Sequence, residues 1–549
     1  MRILSAVLFS LARLPIAAQT VLPPSPHPAA DLLSERLGTE SFQVSCAPST
    51  QPYFNRGVAL LHDFWYQEAR TQFDQLIKSD PSCAMAHWGV AMSAFHQIWG
   101  RPDDAAVKLG WTEMQAAQAL PVHTERERAY IAALAGFYRP GNADFPARIG
   151  AYSAALAKLH AQSRADVDTG AFYALSLLSA EAPADTTLAQ EHKAMAILAP
   201  LFANHPDHPG VVHYIIHACD NPAMAAEGLA AADRYGEIAP SGPHAFHMPG
   251  HIYARLGLWP QDIASQVGSI KASQAADARG ESGIMDELHS YDFLIYAYLQ
   301  SGQDKSAKAA LDDSAAPLNM IAAMPGMGAG HRDGMVPYYR SKLPAFYALE
   351  MRDWKTAAAM QPVVGAPPQV ATMVYWVKAL ADGRLRSAEH AQADLVRYDE
   401  LVAEVRKGKN AYMEEGTEVE RNEILAWVAF AEGRQDDALK TMRSAADRQD
   451  KVGQAEVDIP AREMLADMLL EFSQPKQALA EYQIALRLSP NRLNALYNAG
   501  RAAEAAGDKA AAKSYYSTLL KITNNGQNSG RPELAYATRF VSSMQSSGN

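Results

Sequence analysis

Ala466, Ala478 and Tyr482 recur as Gly500, Ala512 and Tyr516, each displaced by thirty-four positions. A unit of that length holds two helices and a turn but cannot close a core alone, so its apolar faces are buried by stacking one copy on the next. The internal offsets are equally restrictive: a small residue, a second small residue twelve later, and an aromatic four after that. Small side chains at the first two places let antiparallel helices approach closely, and the aromatic at i+4 fills the space on the same face of the second helix. Gly57, Ala69 and Phe73 repeat the offsets near the start, and Pro81 and Pro490 each fall twelve after the second small residue. A proline there ends the second helix and begins the next unit.

Between these places the spacing drifts. LGLWPQDIA, QSGQDKSAKAAL, EMRDWKTAAAM and AEGRQDDALKTM each read as the turn and second-helix start of a hairpin, but Ala438 to Ala478 spans forty residues. One hairpin there needs longer helices or a longer loop. Composition agrees with packed helices, since 48% of the residues are hydrophobic, 20% are charged and β-branched runs are few. A net charge of −11 argues against nucleic acid or an anionic membrane surface as a partner, and no run is long and apolar enough to span a bilayer.

The pattern resembles the tetratricopeptide repeat (TPR) family, with a small residue at position 8, Ala at 20, an aromatic at 24 and Pro at 32 of each unit. Units at about 50–83, 459–492 and 493–526 match it. FNRGVALLHDFWYQEA, SCAMAHWGVAM, HPGVVHYIIHA and HAFHMPGHIYARLG resemble large, often exported bacterial TPR proteins. The resemblance implies a fold rather than an activity. We expect an all-α chain, an α-solenoid of TPR-like hairpins that is irregular in its middle. The expected divisions are a signal peptide at 1–18, a Pro-rich linker at 19–46, N-terminal hairpins at 47–140 and irregular hairpins at 141–361. C-terminal repeats at 371–525 and a flexible tail at 526–549 complete it.

The start, MRILSAVLFSLARLPIAAQT, has a positive residue, a short apolar run and small side chains before Gln19, the pattern of an export signal. The chain is therefore expected in a periplasmic or extracellular space. There Cys46 and Cys83 could pair, or each could be a small buried hydrophobe; Cys219 would be a soft thiol beside a group of histidines.

Seven of the seventeen histidines fall between His205 and His251, and a helical hairpin needs none of them. His213 and His217 are i, i+4 in an apolar run, His247 and His251 repeat the spacing, and His244 stands three before the second pair, with Pro249 in that helix's first turn. Two such helices packed as a hairpin could bring five imidazoles to one point. Neutral imidazole is a good ligand for zinc or copper, and Asp220 could be a ligand or fix a histidine tautomer. In the alternative, the rings hydrogen-bond to carbonyls at irregular turns. His205 and His208 are expected to lie outside the site. Glu287, His289 and Asp292 could add carboxylates and a further imidazole, or form a polar edge. GMGAGHRDG, residues 326 to 334, follows no strand and lacks a Gly-Lys-Ser/Thr ending, so it does not read as a phosphate cradle, although His331 and Arg332 could line a pocket mouth.

Two functions follow. One is an exported scaffold that binds a protein or peptide on its concave face, where the register points Asn494, Tyr497, Arg501 and Glu504. The other is a metal-dependent enzyme or carrier built on the histidines, with Glu287 and Asp292 as the only acid or base candidates.

Overall fold

The computed structural model describes residues 32–98, 101–141, 144–180, 185–324, 334–407, 411–527 and 529–546. The signal segment, most of the proline-rich spacer, and the glycine-rich stretch with His331 and Arg332 lie outside the described residues. All regular structure among the described residues is helical, and successive helices pair as antiparallel hairpins that pack on the next. The chain forms an α-solenoid divided into two units. One runs to residue 252 and takes back 265–290; the other comprises 253–264 and everything from 291 onward.

The repeat register is visible as contacts. A Cβ added at Gly57 would lie 2.7 Å from the Phe73 ring, and one at Gly89, the equivalent place in the next hairpin, 2.3 Å from the same ring. One aromatic thus locks two successive first helices. Gly500 and Tyr516 repeat the arrangement at 2.4 Å, and Ala478 and Ala512 are fully buried. The forty-residue interval after Ala438 is explained on both counts. The Gln435–Val452 helix has 18 residues against 14 in Pro475–Leu488, and a longer connection follows it.

Eight hairpin turns share one backbone device. The residue two before each second helix is left-handed at Phe64, Gly257, Gly302, Arg352, Arg386, Gly433, Ser473 and Gly507. The next amide then donates to the carbonyl five residues back, as Trp65 does to Leu60 at 2.9 Å and Asp508 to Ala503 at 2.9 Å. These are Schellman closures, which satisfy carbonyls that a helix end leaves unpaired.

Two divisions read from the sequence need correction. The end of the expected linker is part of the fold. Phe42 is fully buried among Phe54, Trp88 and Tyr130, and Arg56 pairs with Glu35 at 2.8 Å. The expected flexible tail contains the Pro532–Ser546 helix, whose Leu534 and Ala537 are buried with Leu519 and Leu520 of the last hairpin. Apolar residues at helical spacing within a stretch rich in Asn, Ser and Gly were the overlooked signal.

Cys46 and Cys83 form a disulfide, which ties the segment before the first helix to the start of the Ala84–Ser93 helix. Cys219 is buried, with its thiol toward Met195 Sδ at 3.6 Å and its Cβ against Gly228. It belongs to no histidine group.

Candidate metal centre

The histidine hairpins lie in the first unit. Pro209–Cys219 is a helix because Pro209 sits in its first turn and the His208 ring accepts the Val211 amide at 3.3 Å. It is buried along its whole length. Its apolar run therefore carries His213 and His217 into the interior, with ring centroids 4.6 Å apart. The Pro243–Leu256 helix begins before His244, so Pro249 is inside the helix rather than in its first turn. His247 and His251 lie on one face with centroids 4.9 Å apart.

The five predicted histidines do not meet at one point. His213, His217 and His244 form one trio, with ligand nitrogens all within 4.8 Å of one another; His247 and His251 form a second with His289. The trios are neighbours, since the His244 and His247 rings are 5.9 Å apart. His289 stands in the Ile284–Gln300 helix, and its ring lies 4.3 Å from that of His247. It is a member of a trio, not a polar edge.

The outer nitrogens are held in an ordered way. His213 Nδ1 lies 2.5 Å from the His62 carbonyl, His247 Nδ1 2.8 Å from Gln266 Oε1, and His251 Nδ1 3.0 Å from Asp220 Oδ2. His244 Nδ1 faces Asp286 Oδ1 at 3.3 Å. With a proton on Nδ1 in each contact, Nε2 is left as a lone-pair donor, the support that ligating histidines receive in metalloproteins; between His247 and His251 one Nε2 carries the proton of their mutual hydrogen bond. His213 Nε2 is buried without a hydrogen-bond partner, and the Nε2 atoms of His247 and His251 are 2.9 Å apart. Burial, then the neighbouring His244, holds His213 far below the usual imidazole range; burial, then His289 and His251, does the same for His247. Both rings are therefore neutral at physiological pH, the form that binds metal.

Phe64 completes the first trio. Its ring lies 4.4 Å from His213, 5.3 Å from His217 and 5.8 Å from His244. It occupies the left-handed turn position, at φ 56°, which several other hairpins give to glycine. Its stretch reads in sequence as plain hairpin core, and the only available signal was a bulky residue at a turn position.

The other candidates go elsewhere. Glu287 accepts from Gln274 Nε2 at 2.9 Å, and Asp292, in the other unit, is paired with Lys342. Neither supplies an acid or base to the trios. Asn494 is buried, its amide donating to the Glu350 carbonyl at 3.0 Å. Glu504 accepts from Tyr536 at 2.9 Å, and Tyr497 packs beside Tyr516 and Tyr536, so the last helix covers both. Arg501 alone of those four is exposed. The face expected there is partly covered, because the register predicts which way a side chain points but not what lies against it.

Comparison with known proteins bears on the repeats. The tetratricopeptide repeat family model matches residues 66–110 and 463–527, two stretches that contain the phased small and aromatic residues. Yeast Tom70 is 11% identical, with a TM-score of 0.33 over 90% of this chain and 95% of its own. A tetratricopeptide repeat protein from Parabacteroides merdae is 13% identical, with a TM-score of 0.25 over 64% of this chain and 98% of its own. No curated protein matches the sequence. Neither stretch matched by the family model reaches the Pro209–Cys219 or Pro243–Leu256 helices.

Proposed function

We propose that this tetratricopeptide-repeat protein is an exported scaffold that holds transition-metal ions, copper or zinc, on the two histidine trios of its first unit. The observation that carries the reading is the arrangement of the trios themselves. Six imidazoles lie in two sets, and four of them have Nδ1 placed against a carbonyl, amide or carboxylate oxygen. Packing alone has no use for such an arrangement. An all-imidazole donor set suits copper and zinc better than calcium or magnesium, which require oxygen. Neither trio contains a carboxylate, which favours holding or carrying the metal over hydrolytic chemistry with a built-in base. A tetratricopeptide solenoid is a protein-interaction fold, and a protein partner that gives or receives the metal fits both features. The Cys46–Cys83 disulfide supports an oxidising, exported location.

Metal analysis of untagged protein tests the reading. Up to one equivalent per trio is expected, with His217→Ala and His251→Ala each removing the ion of its own trio and the exposed His205→Ala removing none. A folded protein that takes up neither copper nor zinc at micromolar concentration overturns it.

A further inference from the structure

A second constellation lies apart from the trios and was not legible in the sequence. Glu40, His62, Asp168 and His208 come from four separate places in the chain, yet one ligand atom from each lies within 4.8 Å of the others. His62 Nε2 is 3.2 Å from Asp168 Oδ1 and 3.6 Å from Glu40 Oε2; His208 Nε2 is 3.4 Å from each of the same two oxygens. The four side chains are between 0% and 7% exposed. Glu40 Oε2 and His208 Nε2 have no hydrogen-bond partner.

Those separations discriminate between two arrangements. A charge-assisted hydrogen-bond network would draw nitrogen and oxygen to about 2.7–2.9 Å. Four ligands at 2.0–2.1 Å around a tetrahedral ion stand about 3.3–3.4 Å apart along each edge. The four nitrogen–oxygen edges, 3.2 to 3.6 Å, bracket the second, although His62 and Asp168 at 3.2 Å are also within hydrogen-bond reach. Charge is compatible with this, since two carboxylates and two neutral imidazoles balance one divalent cation; without an ion, burial and then the neighbouring Asp168 push the Glu40 carboxyl well up, so that it holds a proton.

The surroundings hold the ligands in place. His62 Nδ1 lies 2.8 Å from the Tyr214 hydroxyl, which leaves Nε2 to face the acids. A Cβ at residue 210 would come 2.2 Å from His62 Nδ1, so Gly210 is what lets the ring occupy this place. Glu40 is delivered by a strap pinned through Gly38 N to the Ile238 carbonyl at 3.0 Å and Thr39 N to the Asp207 carbonyl at 2.8 Å. The Arg126 guanidinium lies 3.8 Å from Asp168 Oδ2, on the carboxylate oxygen turned away from the cluster. His208 is the least favourable ligand, because a proton on its Nδ1 displaces the capping bond from Val211. At 3.3 Å that bond is weak.

We infer that Glu40, His62, Asp168 and His208 form a separate tetrahedral site for a divalent cation of zinc type. It is independent of the trios in ligands and in donor chemistry.

Zinc alone is the probe, bound to full-length protein and counted after removal of excess, with circular dichroism confirming the fold. The His217→Ala/His251→Ala variant should retain one equivalent, and adding Asp168→Asn should remove it. Tyr214→Phe, which keeps the fold's aromatic contact, should weaken that equivalent by about ten- to a hundredfold. In the wild-type background Asp168→Asn should lower the count by one and leave the trio metal in place. A folded trio variant without zinc, or an Asp168→Asn protein with an unchanged count, overturns the site. Failure of the trios looks different: the wild type would then bind a single equivalent that Asp168→Asn abolishes.

Discussion

Phe64 shows at the residue scale how a turn was recruited to the site. A non-glycine residue in the left-handed region costs about 1–2 kcal/mol, which a buried ring more than offsets. Its φ of 56° aims the ring at three imidazoles and shields them from water. Phe64→Gly should relieve the backbone and open the trio, so metal transfer to a chelator should quicken about tenfold or more while helical content stays constant. Stopped-flow competition measures this, and an unchanged rate would show that the ring does not gate the trio. The i, i+4 histidine pairs were legible because helical spacing places them on one face without reference to the rest of the chain. Their division into two trios was not, because it depends on where His289 and His244 arrive in three dimensions. His62, His208, Glu40 and Asp168 were still less visible, and His208 reads from sequence as a bystander. No local period links residues drawn from a strap, a helix end and two helix starts.

The hairpin is the element that the sequence predicts best, because its constraints are local. Small residues face aromatics, and in eight hairpins a left-handed residue closes the turn before the second helix begins. Gly500→Ala puts a methyl 2.4 Å from the rigid Tyr516 ring, and Ala512→Leu overfills a fully buried position. Each should destabilise the second unit by about 1–3 kcal/mol, read as a shift in the denaturant midpoint. A wild-type midpoint in both would contradict the register. What covers an element is a longer-range matter. The Pro532–Ser546 helix covers Tyr497 and Glu504 and so takes the place of the partner that an open repeat would bind. Terminal repeats of solenoids require such a cap.

At the scale of the whole molecule the fold class was legible and the partition was not. Composition and period establish stacked helices, whereas the two units divide along a chain that crosses between them more than once. Export makes a joint prediction about the start of the first unit. Protein from the exported fraction should begin at or near Gln19 and carry an oxidised Cys46–Cys83 pair. Because the bond spans a separation of 37 residues, Cys46→Ser should cost that unit about 3–4 kcal/mol. Mass spectrometry and thermal unfolding read the two parts, and an intact Met1 with reduced thiols in cytosolic protein alone would contradict export.

The crossing has a consequence for the order of synthesis. The first unit is nearly complete when residue 252 leaves the ribosome, yet it lacks the 265–290 segment that brings Gln266 and His289. The histidines of its first trio and its mixed carboxylate-imidazole group all lie before residue 252, although the Asp286 that faces His244 arrives only with the later segment. The second trio has to wait until the polypeptide has left that unit, contributed to the other, and come back. The ligand sets are therefore synthesised in order, the second trio being completed after the first.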